Sequence, residues 1–299
     1  MYRGKHVRHG KLHQAIRWLF LAIVLGLLIW PFAEPYTLEL EQTVLEDSSF
    51  PADVRQLRIV YVADFHQGSW PFMTRSRVES IVSRINALNA DLVLLGGDYA
   101  ANSKGTIDFF RQLPGIHANY GIYAVLGECD CSLEEGKQEQ EEYIRQLRQA
   151  MRSVNVTPLI NAVEPVRIGS STIYLAGLDD ITNGWPDLKN LAASVRKEDY
   201  VIFLSHNPAV IPDAQIASDR NGRNNWFDLA LFGHTHGKQV SLFGIGLLGI
   251  SDVDNHYQGG WVEENRVPML ITRGVGTVRL PTRLHSKPQI HLITIRSGK

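Results

Sequence analysis

Cysteine is nearly absent. The 299 residues contain two, Cys129 and Cys131, in a single C-x-C pair. A disulfide framework is therefore excluded as the source of stability. The pair could close into a small strained ring or stay as two thiols, and the spacing does not choose between them. Net charge is nearly absent too. Thirty Lys and Arg stand against 31 Asp and Glu, for a formal charge of -1. That argues against a protein that binds nucleic acid through bulk electrostatics, and no nucleic-acid partner is expected. There is no internal repeat and no low-complexity linker, so residues 50–299 read as one domain. With 44% hydrophobic residues the chain can build an ordinary globular core. Long apolar runs are scarce as well. One is uninterrupted by charge, Trp18 to Ala33, and its sixteen residues fall short of the ~20 that usually span a bilayer.

That run is nevertheless built like an anchor. Trp18 and Trp30 stand near its ends, where interfacial aromatics sit, and Arg17 can snorkel to extend its reach. A cleaved signal peptide needs a small-x-small site, and Pro31-Phe-Ala-Glu-Pro-Tyr36 offers a poor one. A buried core helix is a third reading, but a basic tail in front of it would be odd. Residues 1–17 hold Arg3, Lys5, Arg8, Lys11 and Arg17 and no acid, for +5, which leaves -6 on the remainder. Acids follow the run at Glu34, Glu39, Glu41, Glu46 and Asp47. This asymmetry predicts a single-pass protein of the cell membrane, with its N-terminus in the cytoplasm and the domain outside. The expected organisation is a basic tail at 1–17, a transmembrane anchor at 18–33, a tether at 34–49 with a strand near Tyr36–Val44, and the domain from 50.

Within the domain, β-branched and apolar runs predict strands at Leu57–Ala63, Asp91–Leu95, Gly121–Leu126, Tyr200–Leu204, Trp226–Phe232, Met269–Thr272 and Ile290–Ile295. Val166–Ile168 and Thr172–Ala176 read as a hairpin across Gly169-Ser-Ser. Helical spacing of apolar residues marks Ser76–Leu88 and Glu139–Met151, with a short helix at Ile107–Leu113. The Glu134-Glu135 and Glu141-Glu142 pairs read as a solvated face. Strands alternate with helices early and with strands late, which predicts an α/β domain of sheet layers with helices outside.

Five of these strands end in side chains that ligate metals: Asp64 and His66, Asp98, the Gly127–Asp130 turn, His206, and His234 with His236. One such end is compatible with chance or with a solvated turn. Five, each just past an apolar strand, point to a metal site at one sheet edge. If the backbone is still extended at Gly233-His-Thr-His-Gly237, both imidazoles point the same way.

The order Asp64-Phe-His66, Gly97-Asp98, Gly127-Glu-Cys-Asp130, Ser205-His206-Asn-Pro208 and Gly233-His-Thr-His236 resembles the calcineurin-like metallophosphoesterases over residues 57–296, and among them a membrane-anchored or exported phosphodiesterase branch. The resemblance implies a calcineurin-like layered β-sandwich flanked by helices. It implies two divalent ions, drawn from Mn, Fe, Zn or Ni by the mixture of imidazoles and carboxylates. Asp64, His66 and His236 would hold one ion and His206 and His234 the other. Asp98 would bridge them, since two cations ~3.5–4 Å apart need a shared anion. The implied reaction is attack of a hydroxide shared by the metals on a phosphodiester or diphosphate.

The third motif departs from the family pattern Gly-Asn-His-Asp or Glu. Glu128 stands where a neutral Asn oxygen ligates the second metal; it still offers oxygen, but is longer and charged. Cys129 stands where a His faces the leaving group, and a thiol with a pKa near 8.5 is a weak donor. Lys238, Arg273 and Arg283 are candidate substrate-phosphate contacts, Arg273 and Arg283 being otherwise surface residues. His117, His256, His285 and His291 have no partner motif and read as structural. Two functions follow. One is a membrane-anchored phosphoesterase acting on a phosphorylated or lipid-linked substrate. The other is a catalytically impaired, metal-stabilised binding domain, with Glu128 and Cys129 as the marks of lost chemistry.

Overall fold

The computed structural model describes residues 7–69, 71–131, 137–242, 245–248 and 253–298. The elements follow in chain order: α1 (Val7–Ala33), β1 (Glu39–Asp47), β2 (Leu57–Val62), α2 (Arg75–Ala87), β3 (Leu92–Leu95), α3 (Ser103–Gln112), β4 (Ile122–Ala124), α4 (Lys137–Ser153), β5 (Val156–Pro158), β6 (Ala162–Ile168) and β7 (Ser171–Gly177). Then come α5 (Leu188–Ala192), β8 (Tyr200–Leu204), α6 (Ile211–Ile216), β9 (Leu229–Phe232), β10 (Val240–Leu242), β11 (Ile245–Leu248), β12 (Gly260–Glu264), β13 (Val267–Ile271) and β14 (Gln289–Ser297).

Two six-stranded sheets, in the orders β1-β14-β2-β3-β4-β5 and β12-β13-β9-β8-β7-β6, pack face to face. Alternation along each strand makes the layers. Ile59 and Tyr61 of β2 point inward, to a shared core with Leu175, Ile202, Leu229 and Leu231 of the second sheet. Val60 and Val62 point outward, to Val78, Ile81, Phe109, Phe110 and Leu147 on α2, α3 and α4. Phe203 and Phe232 likewise meet α5 and α6 through Leu191 and Ile211. This is the layered, helix-flanked sandwich that the resemblance implies.

Two boundaries differ from the sequence reading, each for a physical reason, and one open alternative is resolved. α3 begins at Ser103, four residues before the expected start, because the Asn102 side chain caps it by accepting from Gly105 N at 3.2 Å. The stretch 39–47, expected within a tether, is the edge strand β1, hydrogen-bonded in parallel along its whole length to β14. A strand was expected near Tyr36–Val44; it runs three residues further and belongs to the sheet, its polar residues being tolerated because only one face of an edge strand needs to be apolar. The C-x-C pair is two free thiols. Glu141 and Glu142 are on the exposed face of α4, while Glu134 and Glu135 lie outside the described residues.

α1 carries the apolar run. A 25-residue stretch, Leu12–Tyr36, is long and apolar enough to cross a membrane, and its most apolar part is not buried against the domain, whereas Glu34 and Pro35 at its end are. At ~1.5 Å per residue it reaches ~37 Å, more than a hydrocarbon core of ~30 Å. The helix exceeds the sixteen-residue run because it begins at Val7 and so continues on the N-terminal side.

Candidate metal centre

The C-terminal ends of β2, β3, β4, β8 and β9 meet at one edge of the two sheets, and each delivers its motif there. The backbone leaves the strands abruptly. Asp64, His66, Asp98, His234 and His236 all have positive φ, from 48° to 69°. That is the left-handed region, which costs non-glycine residues energy and gathers at functional sites. The loops also pack too tightly for side chains at two glycines. A Cβ on Gly127 would lie 2.3 Å from Asp98 Oδ1, and one on Gly97 (φ 95°) would lie 2.7 Å from His206 Nδ1.

With positive φ at both His234 and His236 the backbone is not extended there, so the condition for parallel imidazoles is not met. The two rings point to different places. His236 Nε2 is 3.0 Å from His66 Nε2 and 3.5 Å from Asp64 Oδ1. His234 Nδ1 is 3.8 Å from Glu128 Oε2, and its ring packs edge-on against that of His206. Between the two groups stands Asp98. Its Oδ2 is 3.4 Å from His66 Nε2 and 3.4 Å from His206 Nε2.

Neighbouring groups aim the histidines. His206 Nδ1 is 2.7 Å from Gly96 O, which turns Nε2 toward Asp98. Asn207 Nδ2 is 3.2 Å from His234 Nε2, which leaves Nδ1 facing Glu128. The Arg283 guanidinium is 3.4 Å from His236 Nδ1, which leaves Nε2 facing His66.

These residues fit metal ions. Asp64, His66 and His236 present ligand atoms within 4.8 Å of one another, as do Asp64, Asp98 and His206. Two ligand nitrogens on one ion, at ~2.1 Å each and near a right angle, lie ~3 Å apart, which is the His66–His236 separation. Burial pushes the His66 imidazole down to about 4 and holds that of His236 well below its usual value, so both are in the neutral, ligating form. Burial lifts Asp64 to about 7, and its Oδ2 is buried without a hydrogen bond. A buried carboxylate oxygen left bare costs free energy that a cation would recover. Burial also acts on Asp98 and His206, but each outweighs it in the other: the pair of imidazoles holds Asp98 below the usual range, and Asp98 holds His206 above it.

Asp130 organises this edge from behind, a role its place in the motif did not reveal. It is buried, and its carboxylate accepts from Asp98 N at 2.7 Å, Gly127 N at 2.9 Å, Tyr99 N at 3.0 Å and Thr106 Oγ1 at 2.9 Å. Burial, reinforced by Asp98, raises it to about 7. Asp130→Ala strands three buried N–H groups at ~1–3 kcal/mol each. It is expected to destabilise the protein by about 3–5 kcal/mol, read from denaturant midpoints, and to lower metal content with it.

Residues 57–238 match the profile of the calcineurin-like phosphoesterase family. The chain belongs to that family. This makes it a metal-dependent phosphoester hydrolase. It is 25% identical over 273 residues to the uncharacterized metallophosphoesterase YkuE of Bacillus subtilis strain 168, covering 89% of this chain and 88% of that one. An uncharacterized metallophosphoesterase of Aquifex aeolicus strain VF5 is also 25% identical, over 93% of this chain and 98% of its own. A Danio rerio protein named transmembrane protein with metallophosphoesterase domain is 25% identical over 98% of this chain and 65% of its own.

In this phosphoesterase the third motif lies where its sequence position places it. Cys129 N donates to Asp98 Oδ1 at 2.9 Å, and Cys129 joins His66 and Asp98 in one cluster. Burial first, and then Asp98, Asp130 and Glu128, push its thiol well up, so it stays protonated. Lys238 and Arg273 come together in a surface cavity of about 350 Å³, with Glu41, Gln258 and Gln289. Arg273 Nη2 also binds Glu39 Oε2 at 2.8 Å. Arg283 is neither a surface residue nor placed to bind substrate. It is fully buried, and it donates to the carbonyls of Gly276, Ser286 and Arg273. His291 is buried beside Thr272 Oγ1, at 2.9 Å.

Proposed function

We propose that this phosphoesterase is anchored in the membrane by α1, binds two divalent ions from the Mn, Fe, Zn and Ni group, and hydrolyses a phosphodiester or diphosphate bond of a lipid or envelope substrate. The basic residues before α1 and the acids after it favour a cytoplasmic N-terminus and a domain outside. The kinship with a protein named as transmembrane supports the anchor.

The observation that carries the reading is Asp98 Oδ2, equidistant at 3.4 Å from one imidazole of each ligand set. Asp64, His66 and His236 would hold one ion; His206, His234 and Glu128 the other; Asp98 both. Such ions supply Lewis acidity and a water of lowered pKa to phosphoryl transfer. Asp98 and Asp64 provide the negative charge that keeps them close. Gly96 and Asn207 hold His206 and His234 in their ligating orientation. Glu128 adds a charge where a neutral oxygen is usual, which tightens the hold on its ion.

The test is metal analysis of the full chain in detergent, with turnover of bis(p-nitrophenyl) phosphate. Two ions per chain are expected, with activity lost to a chelator and restored by Mn. Protein that carries no metal after chelator-free purification, and gains none from Mn, would refute the reading.

A further inference from the structure

The span and the centre are joined without slack. In the last turn of α1, Pro31 O accepts from Arg283 N at 2.8 Å. Glu34 is buried. Its Oε1 accepts from Ser286 N at 2.7 Å and its Oε2 from Trp30 Nε1 at 2.9 Å. Ser286 Oγ in turn donates to His236 O at 2.6 Å. Glu34 is thus linked to a candidate metal ligand through one serine. α2 grips the other side. Arg77 Nη2 donates to Pro35 O at 3.1 Å, Arg84 Nη1 donates to Leu38 O at 3.0 Å, and the Arg77 guanidinium lies 5.8 Å from the Tyr36 ring centroid. β1 then starts at Glu39. No free segment is left between helix and sheet.

A flexible tether lets a domain roam over a distance that grows with the square root of its length. This clamp removes that freedom. The surface beside the helix exit carries polar and apolar groups together. Leu280 is 48% exposed near the tip of the loop that holds Pro31, and Arg279 and Lys287 are exposed in the same loop. An apolar side chain flanked by cations suits an anionic lipid surface. The cavity with Lys238 and Arg273 is lined by Glu41 of β1 and by Gly237, the residue after His236.

We infer that the Glu34–Ser286–His236 clamp holds the metal centre at a fixed height on the bilayer surface where α1 ends, so that the substrate is the phosphoester headgroup of a lipid in the same membrane. Glu34 and Ser286 are its positioning residues. The inference rests on the anchored phosphoesterase reading above. Its chemistry is ordinary hydrolysis: water adds to phosphorus, the P–O bond to the leaving oxygen breaks, and that oxygen takes the proton.

The test uses the full chain in nanodiscs of phosphatidylglycerol and phosphatidylcholine with Mn. An insert of eight Gly and Ser residues between Ala33 and Glu34 adds a reach of ~16 Å and uncouples α1 from the clamp, severing the links of Pro31 to Arg283 and of Trp30 to Glu34. With soluble bis(p-nitrophenyl) phosphate, the insert is expected to match wild type within twofold. With a phosphatidyl p-nitrophenyl ester in the same disc, kcat/KM is expected to fall at least tenfold. A nitroxide on Leu280→Cys is expected to meet oxygen more than a water-soluble nickel quencher in wild type, and the reverse in the insert. Equal cleavage of the embedded ester by both proteins overturns the inference, and so does a water-exposed label in wild type. If wild type cleaves neither ester, the phosphoesterase reading fails, while the label still decides the clamp.

Discussion

Asp98→Ala is expected to reduce turnover by roughly 10²-fold or more, beyond the 10–100-fold typical of losing an outer-shell partner, and to lower bound metal from two ions to one or none. The argument is electrostatic. Asp98 Oδ2 lies 3.4 Å from an imidazole of each set. Without it, two divalent cations would sit side by side with no shared counter-charge, and their repulsion in a low-dielectric site is large. The variant also has a readout besides activity. A ligand at 100 times its Kd stabilises the folded state by about 2.7 kcal/mol per site. Mn should therefore raise the wild-type melting temperature and should barely move that of Asp98→Ala. An Asp98→Ala protein that keeps two ions and the full Mn-induced shift would remove Asp98 from its bridging place.

Cys129→His is expected to raise cleavage of an alkyl phosphodiester by ~10²–10⁴-fold, the usual range of general-acid help, with much less effect on a diphosphate. An alkoxide leaves badly without a proton. A phosphate leaving group has a last pKa near 6 and departs as an anion unaided. Cys129 stands beside Asp98 and His66, where a donor would face the leaving oxygen, but burial and three carboxylates hold its proton tightly. Wild type should therefore prefer P–O–P bonds or other good leaving groups. The measurement is kcat/KM for one diphosphate and one alkyl diester in both proteins at equal metal content. A wild type that prefers the alkyl diester, or a new histidine that leaves alkyl-diester cleavage unchanged, contradicts the argument.

The layers of the fold were legible because inward and outward positions in strands such as Leu57–Val62 are both apolar, which only a strand buried on both faces requires. The centre was legible because its ligands end those strands. What escaped was held by groups far apart in sequence. Asp130 reads as one more acid in a motif until its hydrogen bonds to Asp98 and Tyr99 in the loop after β3 and to Thr106 of α3 are seen. Arg283 reads as a surface cation, since nothing local shows the ring of carbonyls that accepts its donors. Glu34 reads as a polar residue after an apolar run, although its partner Ser286 lies 252 residues away. The strand expected near Tyr36–Val44 is present as β1, Glu39–Asp47, but its place in the sheet beside β14 could not be read locally.

The pairing of β1 with β14 has a consequence for how the protein is made. Glu39 lies beside Gln289 and Asp47 beside Ser297, partners 250 residues apart, and β14 also separates β1 from β2. At ~5–20 residues per second, roughly 12–50 s of translation pass between the first strand and the strand that must sit beside it. Through that interval the apolar helix is already made, while β1 and β2 each present a row of unpaired backbone groups. The nascent chain therefore depends on the cell to shield those edges. A premature stop anywhere before Gln289 leaves not a shortened sheet but one with a missing interior strand.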